Sequence, residues 1–316
     1  MNNTLLDISG KIDEDSAAAL AHVKAAADSM GISFFVIGAL ARDILLKLHF
    51  GLPPHRATLD LDLGVSVASW GHFSSLKNEL TENHRFKGTN QVQRLQYERI
   101  LVDIVPFGPI AGPAHTIRWP PDESFQMSTA GFEEAFKFSH QVRVSSSPDV
   151  IVSVCSLPGL VIMKLISWHE RYPERRKDAE DIFEIMEKYE FAGNFDRLYS
   201  EESKMLEEEG FETKKAAIRL LGRDMAKISS QSSGLQISEI LAEETNEASK
   251  MRLALDIAQE TRQIGRDPQE FLMLVAKLRQ GFEEVFIRSH RGKKPDGSSS
   301  RPGLLISSDR GGMKRL

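Results

Sequence analysis

Apolar and polar positions change rhythm along the chain. Up to about residue 150, short apolar runs alternate with helix-like stretches; beyond it, helical spacing prevails. Residues 13–30 place Leu20, Val23 and Ala26 or Ala27 on one helical face, with Asp13 or Asp15 as cap and Gly31 as stop. Residues 34–37 form an unbroken apolar run that reads as a buried strand ending at Gly38. Leu40, Ile44, Leu45 and Leu48 then follow a helical period, so Gly38-Ala39 marks a strand-to-helix turn whose N–H groups favour an anion. After the loop "GLPPHRAT" come a strand in "LDLDLGVSV", a helix over 72–83, and two strands in 85–108, the second being "RILVDIVPF". Residues 106–130 are dense in Pro and Gly and read as a long loop, and "VRVSSSPDVIVSVCS" adds one or two strands. A helix, a polar turn and a second helix occupy 157–189, with Leu160, Met163, Leu165, Ile166, Ile182, Ile185 and Met186 facing a core. Residues 195–287 read as helical, with breaks near Gly210, Gly222, "SSQSSG" and "GRDP", and Pro268 at a helix start.

Acids inside this apolar frame need a reason. Asp60 and Asp62 lie two apart, hence on one face of their strand, while Leu59, Leu61 and Leu63 fill the other. Two adjacent carboxylates repel, and a divalent cation between them reverses the sign. Asp103 interrupts the apolar run of "RILVDIVPF". With this strand beside "LDLDL", three carboxylates converge where two Mg²⁺ ions can bind, the arrangement that clamps the oxygens of phosphoryl transfer. The plainer reading leaves Asp60 and Asp62 on an exposed edge and pairs Asp103 with Arg94 or Arg99.

Composition bounds the remainder. The 316 residues, 41% hydrophobic and 27% charged, suit a soluble protein of two domains, and no apolar stretch is long enough to span a bilayer. The polar, acidic N-terminus lacks a secretory pattern, and the single cysteine, Cys155, sits among valines as a buried thiol in a reducing, cytoplasmic setting. Net charge is −5, but from Arg288 onward eight Lys/Arg face two Asp; that +6 leaves −11 on the rest. The Gly/Ser/Pro-rich tail reads as disordered, either solubilising or adding phosphate contacts to a nucleic acid. The expected division is 1–150, 151–287 and a basic tail over 288–316.

The stretch "FFVIGALARDILLKL…RATLDLDLGV…RILVDIVPF" resembles the catalytic core of the nucleotidyltransferase superfamily, with its polymerase-beta-like fold. "GALARDILL" is similar to the corresponding turn of tRNA CCA-adding enzymes. "RATLDLDL", together with "MKLISWHERYPERRKDAEDI", is nearest to AbiEii-type toxins and related nucleotidyltransferases. The resemblance covers about residues 32–190. It implies an α+β fold, in which an N-terminal mixed sheet with helices precedes an all-helical C-terminal domain. Asp60, Asp62 and Asp103 would ligate Mg²⁺, with Asp103 also open to acting as base. Gly38 and Ala39 would hold phosphates through backbone N–H groups, Ala39 having no hydroxyl to add. Arg42 faces either the phosphates or Asp43, and Arg56 either reaches a phosphate or locks its loop. The second element gives Lys164, Arg171, Lys177, Asp178 and Asp181, of which Lys164, Lys177 and Asp178 would belong to the NTP site; Arg175 and Glu180 read as a solvated helix start, and Trp168 as core.

The implied activity is Mg²⁺-dependent transfer of a nucleoside monophosphate from an NTP to an acceptor hydroxyl. The toxin resemblance points to the tRNA 3′ end as acceptor and to a cognate antitoxin as partner, with no membrane involved. The acidic body favours a small-molecule acceptor instead, and a non-catalytic NTP-binding module is the reading from another class. Metal-dependent hydrolysis ranks lower, because His49, His55 and His72 have no ligand spacing.

Overall fold

The computed structural model describes residues 5–53, 60–246, 251–261 and 267–290. Arg56, the loop around it and the tail beyond residue 290 lie outside these.

Ten strands are described: β1 (Leu6–Asp7), β2 (Ser33–Ile37), β3 (Leu61–Ser66), β4 (Lys87–Gly88), β5 (Arg94–Tyr97), β6 (Ile100–Phe107), β7 (Thr116–Arg118), β8 (Gln126–Ser128), β9 (His140–Ser146) and β10 (Asp149–Val154). Eight of them make one mixed sheet in the order β1-β9-β10-β2-β3-β6-β5-β4, and β7 and β8 pair separately. The register at its centre matters most. Ile37 of β2 pairs antiparallel with Asp62 of β3, and Asp62 pairs parallel with Asp103 of β6. Asp103 in turn faces Arg94 across the antiparallel β5–β6 ladder.

Around the sheet run α1 (Glu14–Ser29), α2 (Gly38–Asp43), α3 (Trp70–Asn83) and α4 (Phe132–Lys137). Helix α1 is capped by the Asp13 side chain, which accepts from Ser16 N–H, and its Ala-rich face buries Leu20, Val23, Ala26 and Ala27. The helical second half comprises α5 (Leu157–Glu170), α6 (Asp178–Lys188), α7 (Phe195–Tyr199), α8 (Ser203–Glu208), α9 (Thr213–Ile228), α10 (Gln231–Glu244), α11 (Arg252–Glu260) and α12 (Pro268–His290). A mixed sheet with helices followed by a helical half is the α+β arrangement expected. Buried apolar side chains of both halves belong to one continuous core.

Four expectations change. The helix over 40–48 is α2 followed by a wider π-helical turn, Ile44–His49, which keeps Ile44, Leu45 and Leu46 buried. Residues 106–130 are not a plain loop: a 3-10 turn (Gly108–Ala111) and the β7–β8 hairpin fill them, anchored by Trp119 against the rings of Trp70 and Phe73. Gly222 lies inside α9 rather than at a break. A Cβ there would lie 2.7 Å from the backbone nitrogen of Phe282, so the missing side chain lets α9 and α12 touch backbone to backbone. Helix α12 also runs past 288, to His290.

Candidate active site

The end of β2 places Gly38 against Asp62. Gly38 has φ 66°, a left-handed conformation, and a Cβ on it would overlap the Asp62 carboxylate. Glycine is therefore required twice at this turn, by backbone conformation and by space. Asp62 and Asp103, in register on neighbouring parallel strands, line a cavity of about 360 Å³ together with Gly38, Lys164 and Arg175.

Asp62 and Asp103 differ in their partners. Arg94 grips Asp103 with two hydrogen bonds, Nε to Oδ1 at 2.7 Å and Nη2 to Oδ2 at 2.6 Å. Burial, and next the charge of Asp103, push the Asp62 carboxyl up to about 6, against the pull of Lys164 and Arg175. A carboxyl pair with one member so disfavoured as an anion calls for a cation.

Helices α5 and α6 supply the positive side. Lys164 is buried in the apolar α5, where its Nζ donates to Asp178 Oδ1 at 3.1 Å and Asp181 Oδ2 at 2.6 Å. These carboxylates outweigh the desolvation of the ammonium and hold its pKa above the usual lysine value. Arg175 donates to both oxygens of Asp178, at 2.8 and 3.0 Å. Asp178 thus acts as counter-ion to two cations that line the cavity and does not itself line it.

Of the remaining sequence candidates, Asp60 immediately precedes β3 and is exposed, and its charge adds to the upward push on Asp62. Asp60, Ala39, Arg42 and Lys177 do not line the cavity. Arg42 is fully buried and bound by Asp43, Asp181 and Glu184, which hold its charge inside the protein. Lys177 is exposed at the start of α6. Cys155 is buried, which drives its thiol pKa well up and leaves it inert.

Sequence reasoning passed over Trp119, Phe125 and Met127 of the β7–β8 hairpin and took Arg175 as solvated, yet all four line the cavity, as does Arg171 of the toxin-like element. The hairpin was hidden by three-residue strands among prolines, and Arg175 by a polar run that looks solvated. Lys164 within an apolar helix and Arg171 in the toxin-like element were the signals pointing to this wall.

Among the described residues, no three His, Cys, Asp or Glu side chains are grouped to hold a metal ion by themselves. Asp62 and Asp103 still fit a hard divalent cation, since Mg²⁺ is commonly held by one or two carboxylates with substrate phosphates completing its shell. No helix among the described residues is long and apolar enough to cross a membrane.

No curated protein matches the sequence. Among solved structures, the chain is similar to the antibiotic-resistance factor ANT(2'')-Ia at 16% identity and a TM-score of 0.32, over 61% of this chain and 97% of that one. It is also similar to an antigenic nucleotidyltransferase-like protein from Paracoccidioides brasiliensis at 14% identity and a TM-score of 0.35, over 64% and 93%. The family model for the nucleotidyl transferase AbiEii toxin of type IV toxin–antitoxin systems matches residues 24–272. With β2, β3, β6 and the α5–α6 wall all inside that match, the chain belongs to the AbiEii family and is a nucleotidyltransferase.

Proposed function

We propose that the enzyme moves a nucleoside monophosphate from an NTP to an acceptor hydroxyl with Mg²⁺, the acceptor being the 3′ end of tRNA. The observation that carries the transfer chemistry is the Asp62–Asp103 pair set in register beside the Gly38 turn, in one cavity with Lys164 and Arg175; the tRNA acceptor rests on the toxin family alone. In the reaction the acceptor oxygen bonds to the α-phosphorus, the bond from that phosphorus to the bridging oxygen breaks, and pyrophosphate leaves with the electron pair. Such transfer asks a protein for positioning and charge neutralisation rather than a covalent nucleophile.

Asp62 and Asp103 would hold the divalent cation, which when bound would polarise the α-phosphate and neutralise its developing charge. Arg94 keeps Asp103 in place while Asp62, to which no described side chain donates a hydrogen bond, faces the cavity. Gly38 leaves the space beside that carboxylate open to phosphate oxygens. Lys164 and Arg175, steadied by Asp178, offset the charge of the β- and γ-phosphates. Asp60, just before β3, would be the third carboxylate for a second ion. Asp103 would also take the acceptor proton, and Arg56, outside the described residues, would bind a phosphate.

The family supports a cognate antitoxin as partner and a cytoplasmic site of action. The net −11 outside the tail region favours a small-molecule acceptor as second reading. Purified protein given each α-³²P-labelled NTP, total tRNA and Mg²⁺ decides between them. Label should appear on tRNA, vanish with EDTA, and fall at least a hundredfold in Asp62→Ala and Asp103→Ala. NTP turnover that never labels RNA overturns the tRNA acceptor; no turnover with any NTP, or turnover unchanged by both substitutions, overturns the site.

A further inference from the structure

Beyond the phosphate side, the same cavity has a second pole. The hairpin ring Phe125 is 42% exposed although it lines the cavity, and the Arg171 guanidinium carbon sits 4.7 Å from its centroid. A large bare ring capped by a planar cation is a stacking surface waiting for a third planar group. Both partners are held: Trp119 N–H donates to Phe125 C=O at 2.9 Å within the anchored hairpin, and Arg171 N–H closes α5 on Ser167 C=O at 3.1 Å.

We propose that Phe125 and Arg171 form the slot that receives the nucleobase of the NTP, a reading that rests on the transferase site described above. The two arginines of this wall divide the work. Arg175 pairs with Asp178 and its charge acts on Asp62, so it belongs to the phosphate side. Arg171 is engaged by Phe125, which places its guanidinium against a ring face and makes it the base-side cation. Ser128 and Ser167, both on the cavity wall, supply hydroxyls that suit the polar edge of a base, since a hydroxyl both donates and accepts. Stacking on an aromatic face tolerates every base, so this slot adds affinity for all four NTPs and leaves discrimination to the hydroxyl edge.

Equilibrium titration separates the slot from the phosphate site. Parent, Phe125→Ala, Phe125→Tyr and Arg171→Ala are each titrated with ATP, GTP, CTP and UTP, and with inorganic tripolyphosphate, all in Ca²⁺ to stop turnover. Phe125→Ala and Arg171→Ala should lose about tenfold or more for the NTPs the parent binds, while tripolyphosphate changes less than twofold and Phe125→Tyr stays near the parent. Unchanged NTP binding in both alanine variants, or an equal loss of tripolyphosphate, overturns the slot while leaving the phosphate site standing. A parent that binds neither NTP nor tripolyphosphate overturns the transferase reading of the cavity, and the slot with it.

Discussion

At the scale of single residues, the site is defined by one carboxyl in the wrong environment. Asp62 is pushed up to about 6, first by burial and second by Asp103, whereas an unfolded chain would give it 3.8. A folded-state value above the unfolded one favours the protonated form of the fold. That contribution is fully present below pH 3.8 and is lost as pH rises through 6. At pH 8 without metal, the ionised carboxylate therefore costs on the order of 2–3 kcal/mol. Asp62→Asn removes the charge and keeps the shape. In chelator it should melt several degrees above the parent at pH 8, with the gap closing by about pH 4, while transfer activity disappears. Thermal scans across that range check it; a parent as stable as the variant at pH 8 would mean that Lys164 and Arg175 already neutralise Asp62. The residue was legible in advance, since an acid at every second position of an apolar strand breaks the pattern that burial demands. The grip of Arg94 on Asp103 was visible only as one of two candidate pairs, because register decides it.

At the scale of elements, periodicity found the helices and missed what glycine does between them. Gly222 looks like a break because glycine is a poor helix former, and one helix's pattern carries no trace of its neighbour. The structure puts it in mid-α9 facing α12, and Gly281 of α12 returns the contact against the backbone of Arg219. Two glycines meeting across a crossing remove the side-chain layer that would hold the helices apart. Gly222→Ala gains helix propensity worth about 1 kcal/mol, yet its new methyl meets backbone, which cannot rotate away. The net change should be a loss of about 1–3 kcal/mol in denaturant unfolding, and Gly222→Val should lose more. A stabilised Gly222→Ala would show that the crossing has slack. The same blindness hid the β7–β8 hairpin: three-residue strands carry too few alternations to be read, and their pairing partner is not adjacent in the pattern.

At the scale of the molecule, the helical half does more than complete the core; it fixes the wall that the sheet lacks. Sequence could place Lys164 and Asp178 near one another, but not the partners of the segment between α5 and α6, which lie some eighty positions away. Asp256 of α11, 1% exposed, accepts from Trp168 Nε1 and from Arg176 Nε, both at 2.9 Å. Arg252 of the same helix lies over the rings of Trp168 and Tyr172, at 5.5 and 5.2 Å. Helix α11 thus clamps both ends of the link that carries Arg171 and Arg175 into the cavity, though Asp256 itself does not line it. Replacing Asp256 by Ala strands a buried indole N–H and an arginine, a loss of about 2–4 kcal/mol by the usual cost of unpaired buried polar groups. Its functional signature should be separate from that loss. At a temperature where the variant stays folded, KM for the NTP should rise several-fold while kcat changes less, because the acids on β3 and β6 are untouched and only the cations of the link lose their anchor. Steady-state kinetics beside a melting curve read both numbers. Lower stability with an unchanged KM would mean that Asp178 alone sets the arginines, and equal falls in kcat and kcat/KM would mean that α11 reaches the carboxylates through the core.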